Sequence, residues 1–141
     1  MELYLLEEGL KFTLYSLEVG ESVVDFLTGL KRDNLSEFDR ISKRLEQLAD
    51  RGPTRRITEF NNLGNGLYEA KSSGGGRVIF FYTKGNVVIC AYGFPKKTGK
   101  TPKVVLRAAL ARKQSFEAQK ASGAGFTISL PEGVDKPKRM P

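Results

Sequence analysis

The sequence predicts an α+β fold: a twisted, antiparallel-rich sheet with an N-terminal helical hairpin and a C-terminal helix, in the order β-α-α-β-β-β-β-α. Three observations predict it. The hydrophobic period changes from strand-like to helical after LKFTLYSLEV, and changes back after Gly52-Pro53. The following region breaks into short β-type runs separated by turn chemistry. Two of those runs, RVIFFYT and VVICAYGF, are apolar on both faces, so they require cover on both sides of a sheet.

Residues near 11–18 alternate and are rich in β-formers, which predicts the first strand. ESVVDFLTGL then places Val23, Phe26, Leu27 and Leu30 on one helical stripe, and LSEFDRISKRLEQLADRGP places Phe38, Ile41, Leu45 and Leu48 on another. Ser36 with Asp39 resembles a capping box for the second helix, and Gly52-Pro53 stops it. RITEFNN, LYEAK, RVIFFYT and VVICAYGF follow as strands, joined by Leu-Gly-Asn-Gly, Ser-Ser-Gly-Gly-Gly and Lys-Gly-Asn. Thr101 as N-cap and Pro102 at the first helical position predict a last helix through VVLRAALARKQSF, which supplies the second cover. The expected domain is residues 1–116, with 117–141 a Gly/Pro/Lys-rich flexible tail in which FTISL is able to add a strand.

Composition excludes several classes of function. The first residues carry Glu2, Glu7 and Glu8 and no basic region, so no leader is expected, and no apolar stretch is long enough to span a membrane. The single cysteine, Cys90, lies in an apolar run and reads as a small buried hydrophobe; without disulfides the expected location is the cytoplasm. With no histidine the chain lacks the usual general base, and with one cysteine no zinc cluster is expected; no cofactor is expected. GFPKKTGKTP resembles a phosphate-binding P-loop, but the glycine required five residues before Gly99-Lys100-Thr101 is Phe94, so no nucleotide cofactor is expected either.

The net charge of +7 is unevenly placed. Residues 1–69 carry nine Lys/Arg and thirteen Asp/Glu, whereas residues 70–116 carry ten Lys/Arg and no acid. Such a segment produces one coherent positive field and predicts a polyanionic partner. Lys71 ends one central strand and Arg77 begins the next, with Lys96, Lys97 and Lys100 leaving the strand after that. The start of the last helix adds free N–H groups, Lys103 and Arg107. These groups suit phosphodiesters, and Tyr92 and Phe94 are placed either to stack on an unpaired base or to pack in the core.

The run LGNGLYEAKSSGGGRVIFFYTKGNVVICAYGFPKKTGKTP, preceded by the helical hairpin and followed by a basic helix, resembles the RelE/HigB-type toxin family, in its phage-derived branch, over about residues 11–116. The resemblance implies a RelE-like fold and a ribosome-dependent mRNA endoribonuclease, with mRNA on the ribosome and ribosomal RNA as targets. It also implies neutralisation by a cognate antitoxin, often a helix-turn-helix protein. The implied chemistry is metal-independent attack of a 2′-OH on the adjacent phosphate. By position, Arg77 and one of Lys96 or Lys97 hold the scissile phosphate and Lys71 helps deprotonate the 2′-OH. Phe94, Lys100, Lys103, Arg107, Arg112 and Lys113 are the expected RNA-binding residues. The chain departs from many relatives in having neither tyrosine nor histidine from Gly93 onward. A non-catalytic RNA- or partner-binding module on the same fold is the alternative.

Overall fold

The computed structural model describes residues 1–96 and 99–141. Among them the chain forms a seven-stranded sheet and three helices: β1 (Glu2–Glu8), β2 (Thr13–Leu17), α1 (Val23–Asp33), α2 (Leu35–Arg51), β3 (Phe60–Gly64), β4 (Leu67–Lys71), β5 (Gly76–Thr83), β6 (Val87–Pro95), α3 (Lys103–Ser122) and β7 (Thr127–Ser129). The α+β class agrees with the sequence reading, with one strand added at each end of the expected order. In β1, Leu3 and Leu5 are buried by alternation, a pattern short enough to be hidden among the flanking acids. The strand latent in FTISL is β7, which runs parallel to β1.

The sheet order is β3-β4-β5-β6-β2-β1-β7. The pairs β2–β6 and β1–β7 are parallel and the other neighbours antiparallel. Asn65 and Gly66, both at positive φ, close the β3–β4 hairpin, the backbone geometry that Asn-Gly favours.

Helix boundaries follow from their caps. In α1, Ser22 Oγ accepts from Asp25 N–H at 3.1 Å while Asp25 Oδ2 accepts from Ser22 N–H at 3.0 Å, a reciprocal capping box. The α2 cap is Asn34, whose Oδ1 accepts from Glu37 N–H at 3.3 Å. The expected box at Ser36 and Asp39 therefore falls inside the first turn, because Asn34 two residues earlier already supplies the acceptor and the non-helical backbone a cap requires. Gly52 at φ 83° ends α2 as expected. Thr101 does not cap α3. Pro102 occupies the cap position, α3 begins at Lys103, and the Thr101 hydroxyl is engaged elsewhere.

Two cores lie on opposite faces of the sheet. Leu14, Val23, Ile41, Leu45, Leu48, Val78, Phe80 and Cys90 pack beneath α1 and α2. Leu3, Tyr15, Ile79, Phe81, Ile89, Val105, Ala109 and Phe116 pack beneath α3. β5 and β6 are thus buried on both sides, which is why their sequences lack polar alternation. Cys90 is fully buried and its thiol is pushed up to about 12 by desolvation, so it is a packing residue and not a nucleophile. Residues 117–141, expected as a flexible tail, include the end of α3 and β7. Phe126 stacks on Phe116 at 4.8 Å. Further on, the Tyr15 hydroxyl donates to the Arg139 carbonyl at 2.6 Å, and the Arg139 guanidinium donates to the carbonyls of Gly9 and Leu10.

Phe116 joins these parts, since its ring contacts both Phe81 and Phe126. Replacing it by Ala is expected to cost about 3–5 kcal/mol in urea unfolding, the usual range for a buried Phe. A loss below about 1 kcal/mol would show that the α3-side core does not rest on this ring.

Candidate active site

The candidate site is built at the loop end of the β4–β5 hairpin. Lys71, the last residue of β4, is the register partner of Arg77, the second residue of β5. Arg77 in turn lies opposite Phe94 on β6. Cross-strand partners project to the same face, so Lys71 and Arg77 lie on the α3 side of the sheet. Lys96 joins them through its backbone, donating N–H to the Gly75 carbonyl at 2.8 Å. Three of the four residues expected to be catalytic are thereby brought together. Lys97 lies outside the described residues.

The electrostatics of the trio are visible in Lys71, whose pKa is held below its ordinary value of 10.5. Partial burial is the main cause, the Arg77 and Lys96 charges lower it further, and Glu69 opposes them. Arg77 is fixed by the loop it follows: Nη1 donates to the carbonyls of Ser72 at 3.0 Å and Gly76 at 2.9 Å. Its Nε is buried and has no acceptor among the described residues. The Lys71 backbone is also tied on both sides. Its N–H donates to the Glu59 carbonyl at 2.8 Å, and its carbonyl accepts from Arg44 Nε at 2.7 Å. Beside these groups runs an open groove of about 560 Å³ lined by Arg44, Thr58, Glu59, Lys71, Ser72 and Arg77.

The loop is held from below by an acid. Glu37, in the first turn of α2, is 3% exposed, and its Oε1 accepts from Ser72 Oγ and from Gly76 N–H at 2.9 Å. Its other oxygen approaches Arg40 Nη1 at 3.5 Å. A Cβ on Gly74 would overlap Glu37 Oε2, and one on Gly76 would come within 2.6 Å of Oε1. The glycines before Arg77 are therefore required by the close approach of a carboxylate as well as by turn geometry.

The remaining expected RNA-binding residues divide. Lys100, Lys103 and Arg107 are exposed at the start of α3. Phe94 is a correction: it is 8% exposed and packs with Tyr92 in the α3-side core, so its ring is not available for stacking on a base. Arg112 is likewise committed to structure, lying over the Tyr92 ring at 4.7 Å and donating to the carbonyls of Ala91 and Glu21. Lys113 pairs with Glu117 at 3.1 Å, one turn further along α3. Sequence reasoning missed Glu37 and Glu69. The signal for Glu37 was its position: it shares the spacing of Ile41, Leu45 and Leu48, whereas Phe38, assigned to that stripe, is only half-buried.

A family model described as phage-derived protein Gp49-like (DUF891) matches residues 25–114. The chain belongs to this family. The Gp49-like family is a RelE/ParE-like toxin family of toxin-antitoxin systems, so a cognate antitoxin is the implied partner. The matched span runs from α1 into α3 and includes Lys71, Arg77 and Lys96, leaving β1, β2 and β7 outside it. No curated protein matches the chain. Among the described residues no helix is long and apolar enough to cross a membrane.

Glu37→Ala is expected to leave Ser72 Oγ and Gly76 N–H without their buried acceptor and to destabilise the protein by about 1.5–3 kcal/mol, the range for hydrogen bonds to a charged group. Hydrogen exchange should localise the change to residues 72–77. Exchange unchanged across that loop would show that its shape does not depend on the carboxylate.

Proposed function

We propose that the protein is the toxin of a toxin-antitoxin pair and acts as a metal-independent endoribonuclease of the RelE/HigB type on ribosome-bound mRNA. The observation that carries this reading is the cross-strand pairing of Lys71 with Arg77, with Lys96 bonded to the intervening loop, beside an open groove. Family membership supports the toxin assignment. The acid-free stretch of residues 70–116 supports a polyanionic substrate.

In this reading Arg77, with Lys96, binds the non-bridging oxygens of the scissile phosphate and stabilises the charge that accumulates on the phosphorane. The neutral amine of Lys71 takes the proton of the 2′-OH; its lowered pKa raises the neutral fraction available for this step. The 2′-oxygen bonds to phosphorus, the bond from phosphorus to the 5′-oxygen breaks, and the products are a 2′,3′-cyclic phosphate and a 5′-hydroxyl. With no histidine in the chain and no tyrosine after Tyr92, the leaving oxygen takes its proton from a lysine ammonium or from water. Lys100, Lys103 and Arg107 extend the positive surface towards ribosomal RNA.

The second reading, a non-catalytic RNA- or partner-binding module, draws on that same absence of histidine and of a C-terminal tyrosine. The two readings separate experimentally. Arg77→Ala is expected to reduce cleavage of mRNA on programmed ribosomes by ~10²-fold or more. Lys71→Arg, which keeps the charge but cannot supply a neutral base, should be similarly impaired at neutral pH. Wild-type activity should rise with pH as Lys71 deprotonates, with its midpoint below 10.5. Salt-sensitive RNA binding with no new 5′ ends in any variant would establish the binding module instead.

A further inference from the structure

Glu69 is fully buried in β4, two residues before Lys71 and on the same face of the strand. Its Oε2 accepts from the Thr101 hydroxyl at 2.8 Å, and its Oε1 is buried with no hydrogen-bond partner among the described residues. Holding a carboxylate in the interior is costly unless its neighbours compensate, so its bond to Thr101 carries weight. Thr101 stands immediately before Pro102, the cap residue of α3. Lys96, at the other end of the same basic segment, is bonded through its N–H to Gly75. The segment carrying Lys96, Lys100 and Lys103 is therefore tied to the β4–β5 hairpin at two points, one in the loop and one in the strand.

We infer that Glu69 is a positioning residue, which through Thr101 clamps the start of α3 and its lysines beside the Lys71–Arg77 pair and so sets the spacing of cations around the substrate phosphate. The inference rests on the RNA-cleavage reading of the site. It gives the buried acid a second effect. The charged groups facing Lys71 are Glu69 on its own strand, Arg77 on β5 and Lys96 after β6, with Arg44 of α2 and Glu59 bonded at its backbone. Glu69 is the one whose charge favours the protonated amine, so removing that charge makes Lys71 easier to deprotonate.

The two effects separate in two variants. Thr101→Val removes the bond and keeps the charge. It should lower the cleavage rate by about tenfold or more, the scale on which small misplacements act, and should leave the rising limb of the pH profile in place. Glu69→Gln keeps an acceptor for Thr101 and removes the charge, so it should retain more activity than Thr101→Val and move the rising limb to lower pH. Thr101→Ser should restore the wild-type rate. Backbone amide exchange over residues 103–106 should be faster in Thr101→Val than in wild type. A Thr101→Val protein matching wild type in both rate and exchange would overturn the clamp. A Glu69→Gln profile that does not move would overturn the electrostatic effect. If wild-type protein does not cleave RNA, the nuclease reading fails, and the exchange comparison alone decides the clamp, unchanged exchange overturning it.

Discussion

The site depends on one carboxylate enclosed by a glycine loop. Glu37 enters from the first turn of α2, and the loop between β4 and β5 closes on it through Ser72 Oγ and Gly76 N–H. Without side chains at Gly74 and Gly76 the backbone can approach that closely. The loop then presents the carbonyls of Ser72 and Gly76 to Arg77, and that of Gly75 to Lys96. The direction of Arg77 and the approach of Lys96 thus follow from an interaction on the opposite side of the sheet. This is a common division of labour in functional sites: one shell carries the chemistry, and a buried polar shell holds it in place.

The two-sided sheet makes that arrangement possible. The α1–α2 hairpin covers one face and supplies Glu37 and Arg44; α3 covers the other, and Thr101 just before it bonds to Glu69 of β4. Among the cations of residues 70–116, position decides use. Arg112 faces the sheet and is spent on the Ala91 carbonyl and the Tyr92 ring, which locks α3 to the end of β6. Lys100, Lys103 and Arg107 precede it and remain exposed.

The fold class, the four strands between the helical hairpin and α3, and the hairpin itself were legible because each states one period. The doubly apolar runs of β5 and β6 even announced that both faces needed cover. The caps were less legible. Asn34 and Ser36 are both good N-cap residues, and only backbone geometry distinguishes them. The cation cluster was legible in part, because hairpin register places Lys71 opposite Arg77 once the strands are known. What escaped was the acidic half of the site. Glu37 and Glu69 look like solvated charges in a sequence, and their roles come from contacts 32 to 39 residues distant along the chain. Phe94 escaped for the converse reason: an aromatic at a strand end reads the same whether it packs inward or faces a ligand.

The acids also explain how a cluster of like charges is tolerated. Partly burying Lys71 and setting it beside Arg77 and Lys96 opposes folding; its pKa is lowered by that burial first and by the two charges second. Between that lowered value and 10.5, the unfolded chain binds a proton that the folded chain does not, so stability from this group rises with pH; below the window the charged amine is a constant cost. Glu59 acts in the other direction. Hydrogen bonds from Thr54 and Gln47 and the charges of Arg44 and Arg56 hold its pKa below the ordinary carboxylate value. Its contribution is present above the unfolded pKa and is lost as pH falls through the folded one. Near neutral pH both conditions hold together: the acid contributes fully while the lysine is strained. The folded framework therefore holds the Lys71 amine where burial and two neighbouring cations favour loss of its proton, against the opposing charge of Glu69.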